Sequence, residues 1–163
     1  MFSFLSKKKG IEVKAPVRGQ IFPLEKVSDP VFSQKMMGDG IAIQYHGGDV
    51  YAPISGTISV VVLPSMHAFG IQSEDGAEIL VHVGLETVNL KGEGFRLLKH
   101  QGDHVNAGEK ILEVDIEVLK EKQIDLVTPI IVTNSDCFEL EVKAFDSDEV
   151  RAKETILFTL HKR

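Results

Sequence analysis

The 163-residue chain holds a single cysteine, Cys137, so no internal disulfide can form and the protein suits a reducing cytoplasm. Among Asp136, Phe138 and Leu140, that thiol reads as a packed small residue rather than a nucleophile. No apolar run approaches the ~20 residues of a membrane-spanning helix. The opening "MFSFLSKKKG" carries three lysines, but they follow a very short apolar patch, which is neither the order nor the length of a signal peptide. Residues 1–10 are expected to form a flexible segment. Its Phe2, Phe4 and Leu5, ahead of Lys7, Lys8 and Lys9, offer at most weak contact with an anionic membrane surface. Positive charge is also scarce: 18 Lys and Arg stand against 24 Asp and Glu, a net −6 with His neutral. That balance argues against nucleic-acid binding, which needs a basic face to neutralise phosphates, and suits a partner with a basic docking patch. Helix-length apolar periodicity is nearly missing. One stretch, "DIEVLKEKQI" (115–124), can hold about two turns, capped by Asp115 with Ile116 and Leu119 on one face.

What the chain has in quantity is short β-type text cut by Gly, Pro and Asp. Nine runs stand out: 11–17, 40–45, 56–62, 67–73, 77–83, 109–115, 128–134, 138–144 and 155–161. β-branched and aromatic residues at this spacing predict an all-β sandwich or barrel in one domain, residues 11–163, with a very short helix or two. There is also an internal echo. "APVRGQI" (15–21) and "APISGTI" (52–58) share the frame A-P-x-x-G-x-I, which reads as two similar corners of a pseudo-symmetric fold. "QGDHVNAGEKILEVD" (101–115) has a related rhythm.

Of six histidines, His46, His100, His104 and His161 sit in text that reads as turns or chain end and are expected to be solvated. His67 and His82 lie inside apolar strand text. "HAFGIQS-EDG-AEILVH" reads as a hairpin. A two-residue turn at Asp75-Gly76 sets Phe69 opposite His82 and makes His67 the diagonal neighbour on the same face. A three-residue loop, Glu74 to Gly76, puts the histidines on opposite faces unless a bulge restores the phase. The residues alone leave both registers open. Adjacent imidazoles could hold zinc with a third ligand, but neither H-E-x-x-H nor H-x-H occurs, and Gly84 stands where H-x-H would need its second histidine. Alternatively one imidazole attacks a phosphoryl group while the other donates a hydrogen bond to its oxygens.

"VFSQKMMGDGIAI", "APISGTI", "HAFGIQSEDGAEILVHVGLETVNLKGEGF" and "TPIIVTN" resemble the glucose-specific enzyme IIA component of the bacterial sugar phosphotransferase system, from about residue 12 to the end. The resemblance implies an antiparallel β-sandwich or barrel-like fold, the duplicated hybrid motif, and a phosphocarrier role. It implies that His82 accepts a phosphoryl group from the phosphohistidine carrier HPr and passes it to a cysteine of a IIB domain of a sugar permease. His67 would stabilise the phosphoryl group, the Gly84 backbone carbonyl would orient His82, and Ser65 would belong to the same hydrogen-bond network. An apolar docking ring of Val31, Phe32, Met37, Leu63, Leu80 and Val88 follows by position, with Asp29 and Glu86 as acidic neighbours for a basic partner. No cofactor is required. Zinc at His67 and His82, shared with a partner's carboxylate, is a further state the family allows. So is binding to regulated enzymes or transporters according to phosphorylation. The initiator Met and the polar ending "LHKR" favour a free protein over a permease domain.

Three other readings compete. A metal-dependent hydrolase on a similar barrel lacks its H-x-H. A biotinyl- or lipoyl-lysine carrier would need an exposed hairpin-tip lysine, and Lys35 in "QKMM" is the nearest candidate. A purely regulatory binding module would need no chemistry at the histidines.

Overall fold

The structure, a computed structural model, describes residues 10–163. Of the expected N-terminal segment, residues 1–9 lie outside the described residues. Fourteen strands and two short helices follow one another along the described chain. The first half contains β1 (Ile11–Lys14), β2 (Gly19–Phe22), α1 (Pro30–Ser33), β3 (Asp39–Tyr45), β4 (Val50–Tyr51), β5 (Gly56–Val61), β6 (Ala68–Gln72) and β7 (Glu78–His82). The second half contains β8 (Phe95–Leu97), β9 (His104–Val105), β10 (Lys110–Val114), α2 (Ile116–Glu121), β11 (Val127–Val132), β12 (Phe138–Val142), β13 (Glu149–Val150) and β14 (Ile156–Lys162).

All strand pairs are antiparallel. An eight-stranded sheet runs β13-β2-β3-β11-β7-β6-β5-β9, and two three-stranded sheets run β1-β14-β12 and β4-β10-β8. The predicted all-β class holds, with the barrel alternative removed: the large sheet ends at β13 and β9 and does not close. Its four central strands are covered on both faces. One face carries Ile43, Phe69, Ile79, Val81 and Ile130 into the main core with Val105, Ile111, Leu112 and Phe158. The other carries Ala42, Ala68, Leu80 and Ile131 into a smaller cluster with Leu24, Val27 and Phe32. Two buried faces explain why 77–83 and 128–134 read as nearly unbroken apolar runs rather than as alternation.

The repeated corner is a real symmetry of the backbone. The Lys14 N–H donates to Pro53 O at 3.0 Å, and the Tyr51 N–H donates to Pro16 O at 2.9 Å, so each copy bonds the other at the equivalent place. The second sequence rhythm follows the same rule. Ile58 N–H donates to Asp103 O and Ile21 N–H to Asp148 O, both at 2.8 Å. β9 lies on β5 through Gly56↔Val105, as β13 lies on β2 through Gly19↔Val150. The shared glycine is explained by close approach: a Cβ at Gly19 would meet the carbonyl oxygen of Gln44, and one at Gly56 that of Gln72.

Local expectations fare unevenly. Asp115 caps α2 by accepting from the Glu117 N–H at 3.2 Å, as its position predicts. The single turn α1 and the short strands β2, β4, β8, β9 and β13 escaped the sequence reading, because pieces of two to four residues carry no measurable periodicity. His46, His100 and His104 are exposed as expected, although His104 lies in β9 rather than a turn; His161 is partly buried in β14 with its Nε2 2.8 Å from Glu141 Oε1. Cys137 is exposed rather than packed; it ends a 3-10 turn at Ser135–Cys137, and the next residue, Phe138, takes the inward position. Lys35 follows α1 and pairs with Asp39 at 3.3 Å and Glu25 at 3.7 Å, so the biotinyl-carrier setting of a hairpin tip is not there.

Gly56→Ala is expected to destabilise the protein by about 1–3 kcal/mol, because the new methyl meets backbone rather than a movable side chain. Urea titration of the variant against the parent measures this, and an unchanged midpoint would contradict the close-approach account.

Candidate functional site

His82 is the last residue of β7, and His67 immediately precedes β6. Between the two strands the loop is Glu74-Asp75-Gly76: Ser73 N–H donates to Ala77 O at 2.8 Å, and Gly76 N–H to Ser73 O at 3.0 Å. The register is therefore Ala68↔His82, without a bulge, and not the two-residue-turn register that pairs Phe69 with His82. By strict alternation this register separates the two histidines. Their rings nonetheless meet, with centroids 4.6 Å apart and planes at 77°. The reason is that His67 lies outside the pleat. The turn before it, closed by Met66 N–H to Val62 O at 2.7 Å, leaves Met66 in the left-handed conformation at φ 57°. Alternation begins only at Ala68.

Each ring is held at its Nδ1. His82 Nδ1 lies 2.7 Å from Gly84 O. A carbonyl can only accept, so Nδ1 carries the proton and the lone pair of neutral His82 is on Nε2. Gly84 reaches back two residues because it adopts φ +71°, and a Cβ there would press on Thr87 and the carbonyl of Asp125. His67 Nδ1 lies 2.7 Å from the hydroxyl of Ser65, which is itself buried. Among the described residues neither Nε2 has a protein hydrogen-bond partner. The edge of Phe32 stands against the His82 ring, centroids 5.1 Å apart.

The predicted ring of docking residues divides. Val31, Met37, Leu63 and Val88 are exposed, Leu63 at 66 % and Val88 at 53 %, and Glu86 is exposed beside Val88. Phe32 and Leu80 are only 4 % and 8 % exposed and belong to the smaller core cluster, so they are core residues rather than surface ones. Leu80 shares its sheet face with His82, and Phe32 is the residue of α1 turned inward. Met36 and Val60 are exposed apolar residues that the sequence reading missed; isolated side chains of this kind leave no pattern. Asp29 caps α1, accepting from the Val31 N–H at 2.9 Å.

A match to the family model of the phosphoenolpyruvate-dependent sugar phosphotransferase system, EIIA 1, covers residues 11–138. The chain belongs to this family. An EIIA chain of Halalkalibacterium halodurans, named a glucose-specific EIIA component, is 47 % identical over 148 residues, 91 % of this chain and 84 % of that one. A glucoside-specific EIICBA component of Staphylococcus carnosus is 45 % identical over 133 residues, 82 % of this chain but 19 % of that one. The solved glucose permease IIA from Mycoplasma capricolum superposes with a TM-score of 0.83 at 38 % identity, covering 93 % of this chain and 96 % of that one.

In this EIIA chain both rings are kept neutral at pH 7. Burial pushes the His67 pKa down to about 4, with the adjacent His82 adding to the effect. Burial also lowers His82, opposed by its bond to Gly84 and by the charge of Asp29. A histidine whose pKa is lower in the folded than in the unfolded chain binds fewer protons when folded, so stability is lost as pH falls. Folding stability is expected to drop between about pH 6.5 and pH 4, with His67 contributing on the order of 3 kcal/mol. Denaturant titrations across that range should show a shallower dependence for His67→Gln; equal slopes would rule His67 out as the cause.

Proposed function

We propose that this EIIA chain is a phosphocarrier in which His82 accepts a phosphoryl group from phospho-HPr and hands it to a cysteine of a IIB domain during sugar uptake. The observation that carries the reading is the Nδ1 bond to Gly84, which reserves the Nε2 lone pair for attack, beside a second neutral imidazole. The Nε2 pair forms the new N–P bond as the N–P bond to the donor histidine breaks, and the donor keeps those electrons. The proton stays on Nδ1, hydrogen-bonded to Gly84 O, which offsets charge growing on the ring. With the Ser65 hydroxyl donating to its Nδ1, His67 keeps a proton on Nε2 and donates it to the phosphoryl oxygens. Onward transfer to the cysteine runs the same displacement in reverse.

The rim suits such partners. Adaptable Met36 and Met37, exposed like Val31, Leu63 and Val88, can pack against more than one surface, and Asp29 and Glu86 favour a basic patch. The EIICBA name of the Staphylococcus carnosus relative supports a IIB domain as the acceptor. The reading places the protein in the cytoplasm. The same rim could bind regulated enzymes or transporters when unphosphorylated. Zinc at His67 and His82 would need further ligands from such a partner, since no described group of three or more His, Cys, Asp or Glu residues could hold a metal.

Incubation with phosphoenolpyruvate, enzyme I and HPr should label the wild-type chain and leave His82→Ala unlabelled; label retained by that variant would sink the assignment. His67→Ala is expected to slow onward transfer by ~10²–10³-fold, the scale of one lost donor to a developing oxyanion.

A further inference from the structure

We propose that Thr128 is a positioning residue that sets the tautomer of His82; the inference rests on the reading of His82 as phosphoryl acceptor. The backbone of residues 83–85 leaves β7 and is held by five bonds. Val83 N–H donates to His67 O at 2.7 Å, and the Thr87 hydroxyl donates to Val83 O at 2.8 Å. Gly84 N–H donates to Thr128 Oγ1 at 3.1 Å, and Gly84 O accepts from His82 Nδ1. Leu85 N–H donates to Asp125 O at 2.8 Å, which grips the far side of the same peptide whose oxygen faces His82.

The pairing of β7 with β11 ends at Val81↔Ile130. Beyond it Thr128, fully buried, substitutes its side chain for the missing ladder bond. Its direction is determined. The hydroxyl donates to Leu126 O at 3.1 Å, which leaves its lone pairs for the Gly84 N–H. Replacing Thr128 by Val keeps the shape and removes the acceptor, so a buried N–H loses its partner. The 83–85 segment then shifts to recover one, and Gly84 O moves off Nδ1. A histidine without that acceptor places its proton on Nε2, where it covers the attacking lone pair.

The test uses unphosphorylated protein labelled with ¹⁵N at histidine, at neutral pH. Wild-type His82 should show a protonated Nδ1 and a bare Nε2. Thr128→Val should raise the Nε2–H form and slow phosphoryl uptake from phospho-HPr about tenfold, the scale of one hydrogen bond; Thr128→Ser should restore both. A folded valine variant with an unchanged tautomer, or with a changed tautomer and an unchanged rate, overturns the proposal, as does a serine variant that fails to rescue. Should the valine variant not fold, amide exchange at Gly84 in the wild-type protein decides, and a rate like that of a free amide overturns it. The tautomer spectra need no phosphoryl transfer, so a failure of His82 as acceptor would be told apart.

Discussion

The bond from His82 Nδ1–H to the carbonyl of Gly84 spans only two residues, yet much of the neighbourhood serves it. It requires the chain to double back at once after a strand, which calls for a left-handed residue at position 84. It requires that residue to lack a Cβ, because Thr87 and the Asp125 carbonyl crowd the space. It also requires the Gly84–Leu85 peptide to be gripped on its other side, which the loop entering β11 does through Asp125. A ring oriented in this way presents one unprotonated nitrogen, in a setting where burial keeps both rings uncharged.

The duplicated backbone gives this arrangement a rigid support without repeating it. The two A-P-x-x-G corners, their mutual hydrogen bonds and the strands beside them superimpose by register. Following the same register, Gln72↔Glu78 corresponds to Gln44↔Val127, and the position equivalent to His82 is Ile131. One half thus contributes an imidazole and the other an apolar residue of the smaller core cluster. The fold places the site where β6 and β7 emerge beside α1, with exposed apolar side chains on the flanking turns.

Legibility followed the range of the interaction. The long strands were readable because each contributes several apolar residues to a core. The echo at 15–21 and 52–58 was readable because a backbone carbonyl demands the same glycine in both copies. The meeting of His67 and His82 was harder. Alternation predicts it only for a two-residue turn, and the turn has three residues. The pair forms because Met66 is left-handed and His67 stands before the strand, a local departure that pleat counting cannot contain. Thr128 and the Asp125 carbonyl were invisible, since they lie more than forty residues from Gly84 and act through one hydroxyl and one main-chain oxygen.

The sequence by itself determined the all-β class, the duplicated corners and the two histidines set in apolar text, because those depend on side-chain chemistry and short-range backbone limits. The role of the Gly84 carbonyl came instead from the family resemblance, and its reach to His82 is local. Only the tertiary structure decided that Phe32 and Leu80 are buried rather than exposed. Only it decided that an exposed Cys137 yields its inward place to Phe138, and that Thr128 of β11 accepts from the Gly84 N–H. Those outcomes depend on which distant segment covers each position, and that is settled by packing rather than by any pattern along the chain.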